Sequence, residues 1–460
     1  MIAFMVAGTA SGVGKTTVAL ALMAALRERG LSVQPFKCGP DFLDTGHQSA
    51  ICGRTSRNLD TWMLDGEANR AIFASASRTA DAAVVEGAMG LYDGAVGGTE
   101  EGSPAEIAKL LGLPVVLVLD ASKSARSIAA VVKGFESFDP GVRFAGIVLN
   151  QVGGEGHYRM LETAIRTVST APILGHLPRD SRIGIPERYL GLHTTEETTS
   201  EGALRAAFAD AARAHLNLTP LLELSWTGAG IDNQAAPVAR VEGSRARIGV
   251  ARDKAFSFYY EDNFDLLREH GADIVPFSPL VDARLPENLD GLYLGGGYPE
   301  LYADILSRNT AMLTGIRAFA EAGKPVYAEC GGMIYLGQSL TLVDGQSCAM
   351  AGMLPLKFEM TSQLVHFGYV RVDFTEDCLL GKKGTTVRGH SFHCSRVQAG
   401  CAMPTAYRVS YSLSGCDEPE GFHLKNVLAS YVHLHFRGNP TLAASLVAAA
   451  RQTRVIEVAA

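Results

Sequence analysis

The chain has 460 residues, 19% of them charged and 47% hydrophobic, with a net charge of −7 and eight cysteines that form no C-x-x-C pair. That length holds two or three domains with cores of their own, and the acidic balance, without a dense Lys/Arg run, argues against nucleic acid as a partner. Scattered cysteines point to neither a disulfide framework nor a zinc site, and no apolar run is long enough to span a bilayer, so a reducing cytoplasm and no membrane partner are expected.

The first predicted strand, Ile2–Ala7, lacks the basic region of a signal peptide. It runs into Gly8-Thr9-Ala10-Ser11-Gly12-Val13-Gly14-Lys15-Thr16-Thr17, and Val18–Leu26 then has helical periodicity. Strand, glycine-rich turn and helix N-terminus make an anion site. Backbone N–H groups around Gly12 and Gly14 and the helix dipole favour a polyphosphate, Lys15 reaches its outer phosphates, and Thr16, followed by Thr17, holds magnesium. The usual spacing puts a glycine five residues before Gly14; here that position is Thr9, with Gly8 one step earlier.

Strand-like runs at Val33–Phe36, Ala82–Val85, Val115–Leu119 and Phe144–Leu149 alternate with helical patterns at Ile107–Leu111, Ile128–Phe135 and Tyr158–Val168. This alternation predicts a doubly wound parallel sheet with ligands at the C-terminal strand ends. Three stretches fall at those ends. Lys37 to Asp44 turns at Gly39-Pro40 and presents Asp41 and Asp44 with Leu43 between them, although a solvated turn gives the same pattern. Glu86 to Gly94 places Glu86 directly after a buried strand, where it can hold magnesium or its water, with glycines and Asp93 following. Asn150 closes its strand, as a reader of a nucleobase or as a turn residue.

From about Leu224 to Arg247 the periodicity lapses, which predicts domains at 1–222 and 248–460 joined by a linker at 223–247. A second α/β pattern follows, with strands at Ile248–Ala251, Ile274–Phe277 and Leu292–Leu294 and a helix at Phe264–His270. Val326 to Gly332 reads as a nucleophile elbow presenting the Cys330 thiol at a helix N-terminus. Ser430–Phe436 alternates like one strand with His433 and His435 on one side, either of which could serve as the base. Gly295, Gly296 and Gly297 end another strand and can turn N–H groups toward an oxyanion. His390, His393 and Cys394 lack a fourth ligand at suitable spacing, so a substrate- or domain-facing strand is preferred there to a metal site.

Gly8-Thr9-x-x-x-Val13-Gly14-Lys15-Thr16 resembles the phosphate loop of dethiobiotin synthetase, which activates a carboxylate with ATP. Cys330, a distant histidine and the glycine loop resemble a class I glutamine amidotransferase, whose flavodoxin-like domain carries a Cys-His-Glu triad. That resemblance implies Cys330 as nucleophile and His433 as base, with Gly296 and Gly297 at the substrate. The acid expected two residues after His433 is His435, so the third member is left open. Lys37-x-Gly-Pro-Asp-x-x-Asp44, Ser56-Arg-Asn-Leu-Asp-Thr-Trp62, Glu86-Gly-x-Met-Gly-Leu-x-Asp-Gly94 and Gly389-His-x-Phe-His-x-Ser395 are similar to the cobyrinic acid a,c-diamide synthases.

The resemblance implies an α/β protein of two doubly wound domains that amidates the a and c carboxylates of a corrinoid polycarboxylate, using ATP, L-glutamine and Mg2+. Asp41, Leu43, Asp44, Glu86 and Asp93 fall at the synthetase site, with Gly12, Gly14, Lys15, Thr16, Thr17 and Asn150 at the nucleotide and Thr16 and Glu86 at magnesium. A carboxylate needs activation because oxide leaves poorly, whereas phosphate can depart from an acyl phosphate. Ammonia must then pass from Cys330 to that acyl phosphate, so the two sites should face one another. Hydrogenobyrinic acid and nickel sirohydrochlorin are the alternative macrocycles. A phosphate-loop switch ATPase is the rival class, with no reason to carry Cys330. An inactive amidotransferase-like binding domain is the other, raised by His435. The oligomeric state is open, a homodimer being the assembly considered.

Overall fold

The computed structural model describes residues 1–184, 187–188, 191–192, 201–228, 245–398 and 403–459. Contacts divide the chain into two units, Met1–Ala235 and Ala236–Ala460. Of the expected linker, residues 229–244 lie outside the described residues, and the first strand of the second unit already begins at Ala246.

In the first unit β1 (Ile2–Gly8), β2 (Val33–Cys38), β3 (Arg57–Leu59), β4 (Ala82–Glu86), β5 (Val115–Asp120), β6 (Phe144–Val152) and β7 (Ile173–Pro178) form one sheet. Their order is β3-β2-β4-β1-β5-β6-β7, and every pairing is parallel. The apolar runs of β1, β4 and β5 are buried almost throughout, as strands covered on both faces must be. Helix α1 (Lys15–Glu28) is buried along its whole length from Val18 to Leu26. It shares one core with the sheet and with Phe208, Ala209 and Ala212 of the helix Glu201–His215, so its hydrophobic residues run all round. The expected strands and helices of this half are all present; β6 runs three residues past the expected end. Among the described residues of this unit, the two-residue strands β8 (Glu187–Arg188) and β9 (Gly191–Leu192) form a further ribbon.

The second unit has a parallel core in the order β11 (Ala272–Phe277), β10 (Ala246–Ala251), β12 (Gly291–Leu294), β13 (Val326–Glu329) and Val427–Ser430. The periodicity signalled this part. It did not signal the antiparallel extension through Asp417–Leu424, Thr405–Tyr411, His366–Phe374, Thr386–His393 and His433–Leu434, which makes a ten-stranded mixed sheet. A separate four-stranded sheet contains Ser339–Thr341 and Ser395–Val397.

The run Ser430–Phe436 is not one strand. The Glu420 carboxylate accepts the Tyr431 N–H at 2.8 Å and the Ser430 hydroxyl accepts the Val432 N–H at 2.9 Å. These side chains take donors that a ladder would use, so the chain turns, and His433–Leu434 pairs afresh with Gly389–His390.

On β7, Gly175 has φ +130°, and a Cβ there would lie 2.1 Å from the His215 carbonyl oxygen. Gly175→Ala is therefore expected to destabilise the fold by about 2–4 kcal/mol, read as a lower urea midpoint.

Candidate active sites

In the first unit the chain leaves β1 at Gly8, where a Cβ would strike Val13 Cγ2 at 2.4 Å and Lys15 Cγ at 2.9 Å. The displaced glycine thus makes room for the stem of Lys15. Gly12 and Gly14 have φ of +77° and +91°, and a Cβ on Gly14 would meet Asn150 Nδ2 at 1.9 Å. That amide donates to the Val13 carbonyl at 3.0 Å, so Asn150 braces the loop from the end of β6. Lys15 Nζ donates to the Ala10 carbonyl at 2.8 Å. Burial and the nearby Lys37 charge lower its pKa to about 8, which an anion in the loop would reverse. Thr17 is half-buried two residues beyond.

Lys37 and Glu86 are register partners at the ends of β2 and β4. Lys37 Nζ lies 2.9 Å from Glu86 Oε1 and forms a second, closer ion pair with Asp44. Glu86 is fully buried; its Oε1 accepts from Thr16 Oγ1 at 2.8 Å and its Oε2 from Gln48 Nε2 at 2.7 Å. Thr16 Oγ1 is also 3.4 Å from Asp44 Oδ1. Burial first, and the Asp44 charge second, push Glu86 above the usual carboxylate range, whereas Lys37, between two carboxylates, is held well above its ordinary value despite burial. A hydroxyl and two carboxylates converging at the foot of a phosphate loop are the hard oxygen donors that suit Mg2+.

The two aspartates of the predicted turn separate. Asp41 Oδ1 accepts from the Leu43 and Asp44 N–H groups at 2.8 and 2.9 Å, bracing the start of α2 (Leu43–Cys52), while Asp44 turns to Lys37. Burial, with Asp44 next, raises Asp41 to about 6. Asp93 Oδ2 accepts the Gly90 N–H at 2.8 Å and so closes the loop after Glu86.

In the second unit Cys330 adopts φ 45° and ψ −103° at the start of the helix Gly331–Leu336, a strained elbow. A Cβ on Gly332 would lie 2.2 Å from the Leu294 carbonyl oxygen, and one on Gly331 3.1 Å from the Gly297 nitrogen. The elbow is therefore pressed onto the Gly295–Gly297 loop. The same loop meets the histidine, because a Cβ on Gly296 would lie 2.4 Å from His433 Cε1. Burial above all, then the Glu300 charge, pushes the Cys330 thiol up to about 12, so it needs a base beside it to ionise. His433 is 2% exposed and stacks on His390 with ring centroids 4.9 Å apart. His435 is equally buried but lies against Tyr260 in a tilted arrangement, with centroids 4.6 Å apart. His390 Nδ1 is 3.0 Å from the Tyr260 hydroxyl, and His393 Nδ1 is 2.7 Å from the Ser395 carbonyl.

Residues 4–190 match the CobQ/CobB/MinD/ParA nucleotide binding domain, and residues 247–441 match the CobB/CobQ-like glutamine amidotransferase domain. The chain is 41% identical over 439 residues to the cobyrinate a,c-diamide synthase of Listeria monocytogenes serovar 1/2a, covering 95% of this chain and 96% of that one. The chain belongs to the cobyrinate a,c-diamide synthase family. Two further members, from Syntrophotalea carbinolica and Salmonella typhimurium, are 43% and 42% identical, covering 96% and 98% of this chain and 97% and 98% of theirs.

For a member of this family, the structure gathers Lys15, Thr16, Asp44 and Glu86 around Lys37, and places Gly296 and Gly297 between His433 and the elbow. Sequence reasoning assigned no role to Lys37 and Gln48, because the adjacency of β2 and β4 is a tertiary fact. It also passed over Glu329, although a charged residue ending a buried strand was the signal that singled out Glu86.

Lys37→Met should leave Glu86 and Asp44 without their ammonium, costing about 3–5 kcal/mol at pH 8. Because burial already raises Glu86 in the folded state, this loss is complete at high pH and is recovered as falling pH protonates Glu86. Urea midpoints at pH 8 and pH 5.5 check both magnitude and sign.

Proposed function

We propose that this chain catalyses the glutamine- and ATP-dependent amidation of the a and c side-chain carboxylates of cobyrinic acid, in cobalamin biosynthesis. The observation that carries the reading is end-to-end similarity to cobyrinate a,c-diamide synthases, over 95% of this chain in the Listeria comparison. Residues 1–222 form the synthetase part and residues 248–460 the ammonia-releasing part.

The phosphate loop, with Gly12, Gly14, Lys15, Thr16 and Thr17, binds ATP, and Asn150 holds that loop in shape. Thr16 and Glu86 would hold Mg2+, which would offset charge on the phosphates when bound. Lys37 pairs with Asp44 and Glu86 and so holds the carboxylate cluster together, while Asp41, Leu43, Asp44 and Asp93 shape the end of the site that receives the corrinoid carboxylate. That carboxylate attacks the γ-phosphorus, ADP departs, and an acyl phosphate forms.

In the other part the Cys330 thiol gives its proton to His433 and attacks the glutamine amide. The Gly296–Gly297 peptides stabilise the oxyanion, ammonia leaves, and water releases glutamate from the thioester. Ammonia displaces phosphate from the acyl phosphate to give the amide.

Cys330→Ala should abolish amidation with glutamine while leaving amidation with ammonium salts, measured by mass spectrometry of the product. Retention of the glutamine-dependent reaction would refute the assignment. Glu86→Gln should slow amidation from either nitrogen source by about 100-fold or more while sparing much of the glutamine hydrolysis. Oxygen label in the substrate carboxylate should appear in the released phosphate. A panel of cobyrinic, hydrogenobyrinic and nickel-sirohydrochlorin acids should give its fastest diamide formation with the cobalt corrinoid.

A further inference from the structure

The acid expected two residues beyond His433 is absent, since that position is His435. A carboxylate nevertheless reaches His433 from another part of the chain. Glu329 ends β13, directly before the nucleophile, and is 1% exposed. Its Oε2 lies 3.6 Å from His433 Nδ1. Oε1 accepts from the Tyr327 hydroxyl at 2.7 Å and from the Leu434 N–H at 3.2 Å, and Oε2 accepts from the Tyr293 hydroxyl at 3.1 Å. The Leu434 bond ties the carboxylate to the backbone immediately after the histidine, while Gly296 and His390 confine other sides of the same ring.

We propose that Glu329 is the positioning acid of the glutamine-hydrolysing site, facing Nδ1 of His433 so that Nε2 takes the Cys330 proton. The inference rests on the reading of Cys330 and His433 as nucleophile and base. Sulfur bonds to the amide carbon, the carbonyl pair moves to oxygen, and the thiol proton passes to Nε2. The imidazolium so formed then stands opposite the carboxylate, and its proton goes to the departing nitrogen as the carbon–nitrogen bond breaks.

A separation of 3.6 Å is longer than a hydrogen bond but within ion-pair reach, so the attraction grows when the ring becomes charged. Among the described residues, the histidines recorded beside the ring supply no such charge. Burial holds His390 well below its ordinary value and His393 down to about 3, and it pushes Cys330 up to about 12. The donors to Glu329 named above are two phenols and a peptide, all neutral. A buried carboxylate held only by neutral donors is costly unless the charge has a use.

Glu329→Gln keeps the shape and removes the charge. In the full-length chain, kcat for glutaminase should fall about 100-fold with KM little changed, while amidation from ammonium salts is retained. The acidic limb of the glutaminase pH profile should move down by about one unit, because the imidazolium has lost its counter-charge. Glutaminase within twofold of the parent, or an unmoved limb, overturns the proposal, as does equal loss of the ammonium-dependent reaction. Should Glu329→Gln not fold, Tyr293→Phe reports instead. It removes a donor from Oε2, concentrates the charge toward Nδ1 and should move the limb upward; an unmoved or lowered limb overturns the proposal. A parent chain that releases no glutamate from glutamine would remove the underlying reading itself, a separate outcome.

Discussion

A carboxylate taken out of water must find its compensation within the protein, and both candidate sites are organised by that demand. Glu86 is fully buried and is met by the Lys37 ammonium, the Thr16 hydroxyl and the Gln48 amide. Glu329 is met by two phenols, the Leu434 peptide and the edge of His433. Glu420, the third, accepts from Ser430 Oγ and from the Gly421 and Tyr431 N–H groups; burial still lifts it to about 7. Glu86 and Glu329 both end parallel strands, where the ladder stops and side chains take over the hydrogen bonding.

The compensation differs in kind, and so does the chemistry it permits. Around Glu86 the partner is a full positive charge, which holds a dense anionic cluster together beside a site for a more highly charged anion. Around Glu329 the donors are neutral, leaving the negative charge to act on whatever cation forms next to it. The two environments suit phosphoryl transfer and proton transfer respectively.

Close backbone approach is the second recurring device. Gly8 clears space for Lys15, Gly14 for Asn150, Gly296 for His433 and Gly332 for the Leu294 carbonyl. A side chain at any of these positions would push apart two elements that the site needs in contact. Gly389 does the same for the extension, where a Cβ would lie 2.5 Å from the His433 carbonyl oxygen. The elbow at Cys330 adds backbone strain, held by the Ser430 carbonyl accepting the Cys330 N–H at 2.7 Å.

Local pattern was enough for the alternating elements of both units, the phosphate loop, the elbow, and Glu86 as an acid placed at a strand end. These features are set by near neighbours in sequence, through strand periodicity, glycine turns and helix starts. Pattern misread Ser430–Phe436, where alternation across seven residues looked like one strand, because Glu420 and Ser430 capture the backbone donors that would have continued it. It also left Lys37, Gln48 and Glu329 without roles, and it read His390 only as part of a substrate- or domain-facing strand. Their positions depend on which strands lie side by side, β2 with β4, and His433–Leu434 with Gly389–His390. Strand order in a sheet is decided by how whole faces are buried. The sequence by itself therefore determined which chemical groups the protein carries and at which turns they emerge, while only the tertiary structure decided which carboxylate meets which cation.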